Sequence, residues 1–140
     1  MNIGEWVFKR AISNPNGPFL KEDEREDREF TNFEFNLRVN RMAHALYDME
    51  IGRGDRVGAL LLNSSEFLEI FFACAKIGAI MVPMNFRLAI PELAYILGDS
   101  SPKVVFYSSD FADNVKGLKS KLKETIIFYM HGNSLKNIGI

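Results

Sequence analysis

Chemistry on a short chain needs acids, bases, thiols or phosphate-holding loops at workable spacings, and this sequence carries few of them. His44 and His131 are its two histidines. His44 falls off the apolar stripe of its predicted helix and reads as a surface residue; His131 stands in a weakly patterned tail. No acid or thiol lies beside either one at the spacing of a proton relay or metal site. Cys74 sits in an almost wholly apolar helical stretch, where a thiol is expected to be an inert core residue. Neither GxGxxG nor GxxxxGK[ST] occurs. Gly52 and Gly54 lie between a helix and a strand, the reverse of the order in which glycines lead into a phosphate-facing helix N-terminus. Gly52-Arg53-Gly54-Asp55 therefore reads as a tight turn. Phe67, Phe71 and Phe72 stand at helical spacing, which favours core packing over an acyl pocket.

One segment earns a positive reading. Met84 to Leu88 follows the carboxyl end of an expected parallel strand, where open α/β sheets collect ligands. Asn85 and Arg87 bring polar groups there, as candidates for ligand binding. The competing reading has Asn85 tying the turn through its side chain and Arg87 in solvent.

The elements that must position these residues follow from pattern. Ile3, Trp6, Val7, Phe8, Ala11 and Ile12 predict a short amphipathic helix ending near Asn14-Pro15. Pro18-Phe19-Leu20 predicts a strand. Lys21 to Glu29 is nine consecutive charged residues, six acidic and three basic; mixed-sign runs are usually solvated, and a hairpin loop is expected. Thr31 and Glu34 have the spacing of a capping box, with Phe30 and Phe35 at the staple positions. The helix behind them carries Phe35, Val39, Met42, Leu46 and Met49 on one stripe and is expected to stop at Gly52. Arg56 to Leu62 reads as a strand buried on both faces. Asn63 with Glu66 repeats the capping-box spacing before a helix apolar nearly all round, which Gly78 ends. Ala79 to Pro83 is the next buried strand. Pro91 opens a third helix at the position where a missing amide is harmless. Lys103 to Tyr107 is a strand, Phe111 to Lys123 a basic amphipathic helix, and Thr125 to Met130 a last strand.

Alternating strands and helices predict an α/β fold with a mainly parallel sheet flanked by helices. The expected organisation is a short helix and hairpin over 1–30, a βαβ-type core over 31–130 and an undefined tail over 131–140. At 140 residues, 47% hydrophobic and 25% charged, the composition is that of a soluble globular domain. A net charge of −1 offers no field for nucleic acid. A single cysteine excludes an internal disulfide. The run from Ile70 to Met84, apolar except for Lys76, is too short to cross a membrane. A cytoplasmic protein is expected.

Several phrases in order resemble the N-terminal part of the adenylate-forming, AMP-binding enzymes of the acyl-CoA synthetase type. They are Phe30-Thr31-Asn32-Phe33-Glu34, Val39-Asn40-Arg41-Met42-Ala43, Gly54-Asp55-Arg56-Val57 and Asn63-Ser64 with Glu66-Phe67. Lys76-Ile77-Gly78-Ala79, Val82-Pro83-Met84-Asn85 and Glu92 to Leu97 continue the series. The resemblance implies the N-terminal portion of an ATP-dependent ligase, which activates a carboxylic, expected fatty, acid as its acyl-adenylate and passes it to CoA. ATP, magnesium and CoA are implied for the parent enzyme, whose phosphate loop and catalytic lysine match nothing here. No catalytic or metal residue is assigned, no cofactor is expected on this chain by itself, and it is expected to be inactive alone. The resemblance also implies basic residues after the strand over 103–107 that meet the CoA phosphate in some relatives, which makes Lys116 and Lys119 cofactor-binding candidates. Ile90 stands where relatives place a Ser or Thr cap. Self-association through apolar surface is expected. The alternative is a stand-alone noncatalytic α/β module for binding or oligomerisation.

Overall fold

The computed structural model describes residues 2–22, 28–131 and 134–137, the last two strands by their backbone. The chain forms two compact units, one from residues 1–54 with 63–79 and the other from 55–62 with 80–140.

The first unit packs three helices and a hairpin. Helix α1, Ile3–Ser13, starts at Asn2, whose Oδ1 accepts from the Gly4 amide at 2.8 Å. It buries Val7 and Ala11 but leaves Ile3, Phe8 and Ile12 half exposed or more, a narrower stripe than its apolar content predicts. Strands β1 (Pro18–Glu22) and β2 (Arg28–Thr31) pair antiparallel. Residues 23–27 of the charged run lie outside the described residues. Thr31 caps α2, Asn32–Asp48, as expected: its Oγ1 accepts from the Glu34 amide at 3.1 Å while Glu34 accepts from the Thr31 amide at 2.9 Å. The Phe30 and Phe35 rings lie 6.2 Å apart. Phe35, Val39, Met42 and Leu46 are buried. Gly52 does not end this helix; it stops at Asp48, and Glu50 takes the left-handed conformation at φ 61°. Helix α3, Ser65–Ile77, ends as expected at Gly78, with φ 77°. Its cap, however, is Ser64 rather than Asn63, with Ser64 Oγ accepting from the Phe67 amide at 3.4 Å.

The second unit holds a five-stranded sheet in the order β4-β3-β5-β6-β7. Strands β3 (Arg56–Leu60), β4 (Ile80–Pro83), β5 (Val104–Ser108) and β6 (Ile126–His131) are mutually parallel. Strand β7, Ser134–Asn137, closes the order antiparallel to β6. It falls in the stretch that the sequence leaves undefined, of which 132–133 and 138–140 lie outside the described residues. The last strand expected over 125–130 is thus paired on both sides, with β5 and β7. Strand β5 is buried throughout and β3 from Val57 on, as continuous apolar runs require. Strand β4 is a sheet edge, not a buried strand, and Ile80 is 52% exposed.

Helix α4, Ile90–Ser100, packs Leu93 and Leu97 into a core with Leu60, Met84, Val105 and Tyr107. Its cap position is Ala89, one residue before the expected site. No side chain there accepts a helix amide, and Glu92 alone reaches back, 2.8 Å from the Ala89 amide. The helix expected over 111–123 is broken into a 3-10 turn at Ser109–Phe111, a short α5 at Ala112–Gly117 and a second turn at Lys119–Lys121. Gly117 explains the break. Glycine weakens a helix by its backbone freedom, and α5 ends there; the neighbour nearest to a Cβ at that position would be the tip of the Ile90 side chain, Cδ1 at 2.5 Å.

Candidate functional site

Asn85 and Arg87 lie in the loop after β4, at the carboxyl end of the parallel strands. The Asn85 side chain accepts the Arg87 amide at 3.0 Å, the local tie that asparagine makes in turns. The Arg87 guanidinium sits 5.7 Å from the Phe86 ring centroid. Phe86 in turn stacks on Phe111 at 5.3 Å, and Ile90 abuts Gly117. The fold therefore brings the 84–90 segment against the segment carrying Lys116 and Lys119. Lys116 is 72% exposed and 3.7 Å from Asp113. This locus could meet an anion by charge.

The remaining candidates disperse. His44 is exposed on α2. The Gly54 backbone, at φ 83°, makes the expected turn and donates to Gly78 O at 2.9 Å. Cys74 is buried, and burial pushes its thiol up to about 12, which removes the reactive thiolate at neutral pH. Phe67, Phe71 and Phe72 do not converge on a pocket. Phe72 joins Trp6, Phe19 and Phe35 in an aromatic cluster, Phe71 is half exposed, and Phe67 lines a cleft of about 490 Å³ with Leu20 and Leu68. No cluster of three or more metal-ligating side chains exists among the described residues.

What pattern reading missed lies on α3. Glu66 and Glu69, one turn apart on a helix predicted to be apolar all round, are both buried. Arg28 donates to Glu66 at 2.9 Å and to Glu22 at 2.7 Å. Arg38 donates to Glu69 and lies 4.9 Å from the Phe30 ring centroid. Burial alone would raise Glu66, but its own backbone amide and Arg28 outweigh it and hold the carboxyl below its ordinary range. At Glu69 burial wins over Arg38, and the carboxyl is raised. With Ser64 as the cap, Phe67 rather than Glu66 stands three residues on, so Glu66 does not complete the predicted capping box. Arg28 and Glu22 belong to the charged run expected in solvent, yet their side chains are 12% and 10% exposed. The clue available in the sequence was two glutamates three apart inside an apolar helix.

Residues 7–137 match the family described as AMP-binding enzyme. The long-chain-fatty-acid–CoA ligase FadD13 of Mycobacterium tuberculosis is 38% identical over 120 residues, 86% of this chain and 24% of that protein. The feruloyl-CoA synthase of an Amycolatopsis species is 35% identical over 83% of the chain and 23% of its own length. Among solved structures, the N-terminal domain of FACL13 from Mycobacterium tuberculosis superposes with a TM-score of 0.85 at 34% identity, covering 93% of this chain and 33% of that one. The chain thus spans about a quarter of the length of these curated relatives.

Proposed function

The chain belongs to the AMP-binding enzyme family, and from that premise we propose that it is the N-terminal part of an ATP-dependent acyl-CoA ligase. The whole enzyme would activate a carboxylic acid as acyl-adenylate, release pyrophosphate and transfer the acyl group to CoA. The observation that carries this reading is the family match over 7–137 together with relatives named as CoA-thioester-forming enzymes. A fatty acid is the substrate we favour, because the long-chain-fatty-acid ligase is the more similar of the two relatives.

ATP, magnesium and CoA belong to the whole enzyme under this reading. The residues present do not fit the triphosphate: the chain has no glycine-rich loop leading into a helix N-terminus, and the Gly52 and Gly54 backbone is spent on a turn between helix and strand. Residues 1–140 are then one portion of a larger AMP-binding domain, inactive alone. Arg87, Lys116 and Lys119 are the groups we assign to an anionic part of a ligand, on the strength of their abutting segments and the exposure of Lys116. Half-exposed Ile80 on the edge strand and the apolar outer face of α1 support self-association of the isolated chain. A cytoplasmic location fits the unpaired Cys74, and no helix among the described residues is long and apolar enough to cross a membrane.

The test is acid-dependent AMP release and thioester formation by the full reading frame, with CoA and a panel of fatty and aromatic acids. Thioester formation with a fatty acid is expected. No turnover with any acid, in a frame that closes without a glycine-rich lysine loop, would replace this reading with that of a noncatalytic module.

A further inference from the structure

Lys76 is the one charged residue between Ile70 and Met84, and nothing in the proposed activity uses it. It stands in the last turn of α3, half-buried. Helix α1 crosses over its stem: a Cβ on Gly4 would come within 2.7 Å of the Lys76 backbone nitrogen and 2.8 Å of its Cγ. Nζ is held by two neutral acceptors, Asn36 Oδ1 at 2.7 Å and Asn40 Oδ1 at 2.6 Å. These asparagines are one turn apart on α2, so both face the same point. Among the described residues no carboxylate pairs with Nζ. Burial holds the ammonium below the ordinary lysine range, which raises the share of free amine at neutral pH.

A carboxylate in either asparagine position would suit only the charged lysine. A carboxamide suits every form, because its oxygen accepts from an amine and its NH2, turned about χ2, donates to a carbonyl. The cradle therefore fits Lys76 as ammonium, as free amine and as amide. We propose that Lys76 is an acyl-acceptor site, taking an acyl group from an activated carboxylate such as an acyl thioester or acyl phosphate. The free amine donates its two N–H bonds to Asn36 and Asn40 and keeps its lone pair for attack. Nitrogen adds to the carbonyl carbon, a C–N bond forms, and the C–S or C–O bond breaks with its electron pair leaving on the thiolate or phosphate. The surplus proton on nitrogen passes to that leaving group through solvent. Once the surplus proton has left, the Asn40 amide, turned about χ2, can donate to the carbonyl oxygen of the amide product. The amide product keeps one N–H for Asn36. The donor class rests on the ligase reading above; the acceptor does not.

The experiment supplies the donor. The 140-residue chain is incubated with acetyl phosphate at about pH 8, digested, and read by mass spectrometry for occupancy at each lysine. Lys76 is expected to reach several-fold higher occupancy than Lys9 and Lys116, whose side chains are 59% and 72% exposed. In Asn40→Asp, or in Asn36→Asp as a second variant, the new carboxylate holds the ammonium charged. Occupancy at Lys76 should then fall to the level of Lys116 or below, with circular dichroism confirming the fold. Occupancy at Lys76 no greater than at Lys116 in the unaltered chain, or folded Asp variants that label as fast as it does, would overturn the proposal. Because acetyl phosphate is added directly, a parent enzyme with no ligase activity would leave this result untouched.

Discussion

The two units solve the burial problem in different ways. The first buries Asn32, Asn36, Ser65, Glu66 and Glu69, while among the described residues of the second only Ser108 is a buried polar side chain. The second unit follows the apolar pattern of a parallel sheet and needs few directed contacts. The first depends on arginines from β2 and α2 reaching glutamates on α3. Buried ion pairs contribute little net stability over apolar packing, yet breaking one is costly because a charge is stranded. The first unit should therefore be sensitive to pH and to single charge deletions in ways the second is not.

Core truncation gives the largest effect and should not separate the units. Leu46→Ala in the first and Leu93→Ala in the second, both fully buried, should each cost about 2–5 kcal/mol in urea unfolding. An unchanged midpoint for either would mean that its stripe does not face a core.

Charge deletion should separate them. Glu66→Gln is expected to cost about 3 kcal/mol at neutral pH, the low end for a broken buried pair because Glu22 still holds Arg28. The sign follows from the lowered Glu66 pKa: its stabilisation is present above the ordinary carboxyl range and is lost as pH falls through the folded value. The gap between variant and unaltered chain should close in acid. Glu69 is raised, so its contribution has the opposite sense, present at low pH and lost as pH rises through its folded value. Glu69→Gln should accordingly cost less than Glu66→Gln at neutral pH. Equal costs for the two, or a Glu66 gap that persists into acid, would break the contrast.

Helix caps sharpen the comparison on a smaller scale. Thr31→Ala removes a working capping box from the first unit and should cost about 1 kcal/mol. Ala89→Ser would supply the second unit with the cap that α4 lacks and should stabilise it by about 1 kcal/mol. Thermal unfolding that moves in the same direction for both would show one position misassigned.

Much of the fold was legible because its signals are local. The Thr31 and Glu34 box, the stop at Gly78 and the continuous apolar runs of β3 and β5 each depend on a few neighbouring residues. What escaped depends on distant partners. Glu66 and Arg28 are 38 positions apart, Glu69 and Arg38 31, and no periodicity announces that a glutamate will find its arginine. Strand β4 read as buried because Ile80, Met81 and Val82 are apolar, and apolar content does not distinguish an edge from a centre. Of the candidate site, the Asn85 turn was legible from residue type, whereas the approach of the 84–90 and 111–118 segments is tertiary. Lys76 did leave a signal, a lone charge in an apolar run, but its asparagines lie 40 and 36 positions away.

Carboxylate-dependent exchange of labelled pyrophosphate into ATP tests the central claim most directly, because it reports adenylation alone. Exchange is expected from the full reading frame and none from pure residues 1–140, in which neither GxGxxG nor GxxxxGK[ST] occurs. Exchange catalysed by the 140-residue chain itself would contradict it.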